Sequence, residues 1–302
     1  MKTKIFSIVL MFTAIASFAQ QDAQFTQYMY NTININPAYA GSRGALSLFG
    51  LHRTQWVGLE GAPVTNTISI NTPLNGSNLG LGVSLINDKI GPTHENTISA
   101  DLSYTIQTSK TFKLSFGMKA TANLFDLDQS RLTPEDLNDP SLQNYNSFSP
   151  NIGAGIYLHS DKAYVGLSVP NFIESNRYDD NEVAIFKEKI NYYLIAGYVF
   201  DFTDSIKFKP SLLAKMVEGA PLQADISGNF MFNEKLVVGV AYRWSAALSA
   251  IVGFQVSDSM YIGYGYDHET TNLKNYNSGS HEIFLRYEIF KNNGKITTPR
   301  FF

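Results

Sequence analysis

The sequence predicts an all-β fold, a single transmembrane β-barrel of about fourteen antiparallel strands. Three observations carry this reading. The chain opens with an export leader, most of the remaining sequence alternates apolar and polar residues with period two, and brief polar turns interleave with connections that are often longer.

The leader comes first. Lys2 and Lys4 are followed by an almost wholly apolar stretch from Ile5 to Ala16, and Ser17 and Ala19 put small residues at the −3 and −1 positions before Gln20. That is a secretory signal peptide over 1–19, with cleavage expected after Ala19. Its apolar run is roughly a dozen residues, short of the about 20 that a spanning helix needs. No later stretch is long and apolar enough to cross a bilayer as a helix, so a membrane passage must be made by a closed barrel.

Residues 20–43 lack the alternation and are expected to form a periplasmic segment able to plug the barrel. The barrel itself is assigned to 44–290. The first strands are expected at about 44–56, 63–73 and 79–87. In 97–107, Ile98, Ala100, Leu102, Tyr104 and Ile106 oppose Ser99, Asp101, Ser103 and Thr105. In 113–124, Leu114, Phe116, Met118, Ala120 and Ala122 oppose Lys113, Ser115, Gly117, Lys119, Thr121 and Asn123. Weaker matches at 147–158, 162–170 and 189–202 lead to 206–215, where Ile206, Phe208, Leu212 and Ala214 oppose Lys207, Lys209, Ser211 and Lys215. After a further match at 221–232, the segment 236–245 sets Val238, Val240, Tyr242 and Trp244 against Gly239, Ala241, Arg243 and Ser245. Strands at 248–256 and 259–267 precede a last one, in which Ile283, Leu285, Tyr287 and Ile289 oppose Glu282, Arg286 and Glu288. Residues 291–302 form a tail made basic by Lys291, Lys295 and Arg300 and ended by Phe301 and Phe302.

The longest connections are expected at 126–146, 171–188 and 268–280, with a short helix capped by Thr133 in the first. Short periplasmic turns and long outer loops are the habit of outer-membrane barrels, which puts both chain termini in the periplasm. A soluble two-sheet sandwich also alternates, but its outward faces are normally richer in charge than this chain, where charged residues are only 16%. The 17 tyrosines and 21 phenylalanines, many near strand ends, fit interfacial girdles better.

The net charge of −3 gives no footprint for nucleic acid. Cysteine is absent, which removes thiolate ligands and Cys nucleophiles. The five histidines show no metal-ligand spacing, and the 126–137 stretch fails as a calcium loop because Arg131 stands at its sixth position and Leu137 at its twelfth. No nucleophile elbow or phosphate loop is present, and no cofactor or enzymatic activity is expected. The lumen is expected to carry charges of both signs: Asp101, Glu282 and Glu288 with Lys113, Lys119, Lys207, Lys209, Lys215, Arg243 and Arg286. Such groups must pair or be hydrated. A wall of fourteen strands encloses more space than its own side chains fill, so either water or a plug occupies it.

Several phrases recur in a characteristic order. They are Gln24 to Asn31, then Asn36-Pro37-Ala38-Tyr39 with Ala40-Gly41-Ser42, then His52-Arg53-Thr54-Gln55-Trp56 with Gly61-Ala62-Pro63, then Asn87 to Thr93, His281 to Tyr287, and Pro299-Arg300-Phe301-Phe302. In this order they resemble the PorP/SprF family of Bacteroidetes outer-membrane proteins, linked to type IX secretion and gliding motility. The resemblance spans essentially the whole mature chain. It implies a non-enzymatic barrel in outer-membrane lipid that works with type IX secretion components. Its partners would be a secreted adhesin or its C-terminal domain at the cell surface, and a peptidoglycan-binding OmpA-like protein or ring lipoproteins in the periplasm. The candidate residues for partner binding or plugging are Asn36, Pro37, Ala38, Tyr39, His52, Arg53, Gln55, Trp56, Pro299, Arg300, Phe301 and Phe302. The alternative is a passive porin or solute channel.

Overall fold

The computed structural model describes residues 26, 28–128, 144–174 and 189–289. Its strands are β1 (Leu46–Thr54), β2 (Val64–Pro73), β3 (Leu79–Ile90), β4 (Thr93–Gln107), β5 (Lys113–Leu127), β6 (Tyr145–His159), β7 (Ala163–Val169), β8 (Asn191–Tyr198), β9 (Phe200–Thr203), β10 (Ile206–Val217), β11 (Gln223–Phe232), β12 (Leu236–Arg243), β13 (Ala247–Gln255), β14 (Met260–Glu269) and β15 (Ser280–Ile289). Segments β8 and β9 both pair with β10 in one register, Ser211 opposite Gly197 and Phe208 opposite Phe200, so they are one strand interrupted at Val199. The fifteen segments therefore make a fourteen-strand barrel, the number that the alternation predicts.

Every strand pairs antiparallel with its sequence neighbour, and β1 pairs with β15 from Leu46 opposite Ile289 to Thr54 opposite His281. Closure leaves no open edge, which is what a sheet in hydrocarbon needs, because backbone groups there have no water to bond. Strands such as β5 read alternately buried and exposed along their length. Ile68, Val83, Met118, Phe148, Val240 and Ile283 stand on the outer wall, each more than half exposed. Ser69, Ser84, Lys119, Thr121, Asn151 and Asn229 are buried on the inner side. Swapping the faces by a one-residue slip would put lysine against lipid, so the pattern pins the register.

The connections sort onto two rims. One, the turn rim, carries 74–78, 108–112, 160–162, 204–205, 233–235 and 256–259, together with the start of β1 and the end of β15. The hairpin at 233–235 is built on Asn233 and Glu234, both left-handed (φ 50° and 55°), with Lys235 N–H donating to Phe232 O. Two successive left-handed residues match the twist of the strands they join, and Asn tolerates that conformation well. The opposite, loop rim carries 55–63, 128–144, 170–190 and 270–279 together with tighter connections. The helix predicted around Thr133 lies outside the described residues, as do the signal peptide and the tail at 291–302.

Candidate functional site: a segment held inside the barrel

Residues 28–43 do not lie outside the barrel. They lie within it. The chain there makes three short 3-10 turns, Tyr28–Tyr30, Thr32–Asn34 and Pro37–Tyr39, and nearly every residue from Tyr28 to Ala40 is buried. The local reason for the third turn is legible. Asn36, in extended backbone, caps it by accepting the Ala38 N–H on Oδ1 (3.0 Å), and Pro37 takes the first position, where no N–H is needed.

The wall grips this segment through its main chain. Arg286 donates to Tyr30 O, Lys119 Nζ to Ile33 O (3.3 Å), Ser168 Oγ to Ile35 O (2.6 Å) and Ser103 Oγ to Ala40 O (2.7 Å). In return Asn36 Nδ2 donates to Ile156 O (3.0 Å). Space for the segment comes from inward glycines. A Cβ at Gly117 would stand 2.1 Å from the Ala38 nitrogen, and one at Gly155 would stand 2.2 Å from Asn36 Oδ1. Any side chain there would expel the segment or deform the wall.

Tyr30 is the main side-chain anchor. Its ring packs against Phe284 (centroids 4.5 Å) and stacks on Tyr261 (5.6 Å), and its hydroxyl lies 3.1 Å from that of Tyr261. Lys209 Nζ and the Arg286 guanidinium sit 5.6 and 5.8 Å from the ring centroid. A cation over an aromatic face away from water contributes about 2 kcal/mol. A second anchor is Tyr39, edge-on to Tyr157 at 5.6 Å.

The charges are distributed along the barrel in pairs. Near the turn rim Arg43 pairs with Glu288. Lys119 pairs with Asp101 (3.0 Å) on the wall beside Ile33. Close to the loop rim Arg53 bridges Asp267 (2.7 Å) and Glu282 (3.2 Å), and Arg243 pairs with Asp225 (2.9 Å). Thr26 completes this last cluster, its hydroxyl donating to Asp267 (2.6 Å) and its N–H to Glu282 (3.2 Å). Arg53, Asp267 and Glu282 each lie within about two residues of the loop-rim ends of their strands. The described part of the segment thus runs from one rim nearly to the other.

The candidate residues fall in different places. Asn36, Pro37, Ala38 and Tyr39 are inside the barrel. Arg53 is inside too, but His52, its neighbour in sequence, is on the outer wall with Nδ1 2.8 Å from Asn66 Oδ1. Gln55 and Trp56 are half-buried at the loop rim, where Trp56 Nε1 donates to Glu269 (3.2 Å) and its left-handed backbone (φ 45°) is tied to Ser280 Oγ (3.1 Å). Pro299, Arg300, Phe301 and Phe302 lie outside the described residues.

Of the charges assigned to the lumen, Asp101, Lys119, Lys209, Lys215, Glu282 and Arg286 are buried inside, with Lys215 5.8 Å from the Tyr193 ring centroid. Arg243 and Glu288 are half-buried in their pairs. Lys207 is half-buried against Glu234 of the turn rim (3.1 Å), and Lys113 is exposed at the turn-rim end of β5. Lys113 shares the inward parity of Lys119, but its strand end lies beyond the packed interior. The partners Asp225, Asp267 and Arg43 did not emerge from the sequence. The first two sit at inward positions of the alternation, so parity was the signal that could have found them.

A closed fourteen-strand wall, apolar outside and polar within, defines an integral outer-membrane β-barrel protein, in this case one whose leading segment is packed inside it. The chain belongs to the PorP/SprF family: the model described as "Type IX secretion system membrane protein PorP/SprF" matches residues 17–287. No curated protein matches the sequence. Similar solved structures include the outer membrane protein Omp33 of Acinetobacter baumannii, at 9% identity and a TM-score of 0.48 over 81% of this chain and 98% of that one. The CymD monoaromatic hydrocarbon channel is similar at 14% identity and 0.47, covering 88% and 93%. A Pseudomonas aeruginosa FadL homologue is similar at 13% and 0.46, covering 87% and 94%.

Proposed function

We propose that this protein is a non-enzymatic docking barrel of the type IX secretion and gliding machinery. It holds secreted cargo, an adhesin through its C-terminal domain, at the loop rim, which faces the cell exterior. Periplasmic partners, an OmpA-like peptidoglycan binder or ring lipoproteins, engage it from the turn rim and the 291–302 tail. The observation that carries this reading is the segment at 28–43, which acts as a plug. A wall that spends buried lysine, arginine, serine and glycine positions on holding its own polypeptide inside suits retention of a partner better than free diffusion of solute.

Purified protein in planar bilayers tests it. Electrical silence is expected; steady, reproducible single-channel conductance would instead make the protein a passive channel. Deleting 291–302 should leave a folded, heat-modifiable barrel but impair secretion or cargo retention. Normal surface display in that deletion would remove the tail from the mechanism.

A further inference from the structure

Four of the wall-to-segment hydrogen bonds end on carbonyl oxygens, those of Tyr30, Ile33, Ile35 and Ala40. Every polypeptide carries carbonyls, so these donors recognise a chain path and not a particular sequence. Side chains of the segment also meet the wall, Asn31 at Ser69 (3.0 Å), Tyr39 at Tyr157 and Arg43 at Glu288 among them, and two of these places have the most restrictive shape. One is the Tyr30 pocket made by Tyr261, Phe284, Lys209 and Arg286, which takes an aromatic ring. The other is the narrow passage at Gly155, where the Asn36 carboxamide reaches Ile156 O and Pro37 turns the chain. The segment contributes no helix or strand longer than a 3-10 turn, so apart from the locally capped Asn36-Pro37 turn its shape is imposed by the wall.

We propose that the lumen is a peptide-binding site with an exchangeable occupant: it accepts, in place of residues 28–43, a segment of another chain that carries an aromatic residue six positions before an Asn-Pro turn. The inference rests on the plug reading above and extends it from a fixed filler to a ligand. It gives the barrel a way to grip a partner polypeptide with the donors that now hold its own.

The test uses the full chain with a protease site inserted after Gly44, which is exposed beside the start of β1. The folded barrel is cut in detergent and mixed with a fluorescent synthetic peptide of residues 26–43. Labelled peptide should enter the heat-modifiable barrel and be competed out by unlabelled peptide. Peptides with Tyr30→Ala or Asn36→Ala should bind about tenfold more weakly, a factor that corresponds to losing one good anchor, and a scrambled peptide should not bind. A cut barrel that stays folded without taking up peptide overturns the proposal, as does equal binding of the scrambled peptide. A second variant covers the case in which cutting unfolds the barrel. The uncut chain with Tyr30→Ala and Asn36→Ala should admit the wild-type peptide where the unmodified chain does not, and a folded double variant that excludes it also overturns exchange. Conductance of the intact protein, recorded in parallel, separates the two readings. A conducting intact barrel defeats the plug itself, whereas a silent one without exchange defeats only the exchange.

Discussion

Arg53 sits between Asp267 and Glu282 with its side chain almost wholly out of contact with water. Removing the cation would leave two carboxylates facing each other, and breaking such a buried arrangement costs about 3–5 kcal/mol. Arg53→Met is therefore expected to lower the unfolding free energy in detergent by that amount, while Arg53→Lys, which keeps the charge but not the fork, should lose less. An unchanged denaturation midpoint in Arg53→Met would mean that the cluster is hydrated. Gly117 makes a sharper case because the missing Cβ is what lets Ala38 approach. In Gly117→Val the barrel should retain its heat-modifiable migration while trypsin gains access to the bond after Arg43, which is buried in the parent. Full resistance at Arg43 would show that the segment tolerates the intrusion. Neither position announces its role in the sequence. Arg53 belongs to a recognisable phrase, yet the same phrase contains an outward His52, and Gly117 looks like any glycine in a strand until a second piece of chain is laid against it.

Alternation was readable in the strands because lipid and lumen make opposite demands on adjacent residues. Met118 and Lys119 show the contrast within one dipeptide: the first is 69% exposed on the outer wall and the second is paired with Asp101 inside. Met118→Arg should destabilise insertion into lipid vesicles by about 2–4 kcal/mol, the cost of a cation on the lipid face near mid-bilayer. Folding titrations in vesicles measure this, and a neutral result would place Met118 against protein or water instead of lipid. Strand ends were harder to read, since alternation fades where side chains on both faces become wet. Thus β3 runs on to Ile90 and β4 begins at Thr93, well past the apolar stretches of both. The 28–43 segment has no period at all, because it packs on every side. Its turn chemistry at Asn36-Pro37 could be read locally, but its destination depends on contacts with β4, β5 and β6, far away in sequence.

At the scale of the whole molecule, the two rims differ enough to ask which one faces out. The native chain has no cysteine, so single thiols report without background. With the loop rim outward, Asn275→Cys, at an exposed position of the 270–279 connection, should react with an impermeant maleimide on intact cells, and Ser77→Cys on the turn rim should react only after lysis. The reverse pattern would invert the orientation. The closing seam carries a further consequence. Tyr30 is held by Arg286 and Phe284, Thr26 by Glu282, and Arg43 by Glu288, all on β15, the strand that seals the wall against β1. These residues near the start of the chain thus gain part of their hold only when the last strand has been delivered. A molecule truncated before β15 has an open edge and, at the same time, an inner segment without its contacts to Glu282, Phe284, Arg286 and Glu288. Interior packing and wall closure are in this way completed by one event, and an unfinished copy is distinguishable from a finished one at both ends of its sequence.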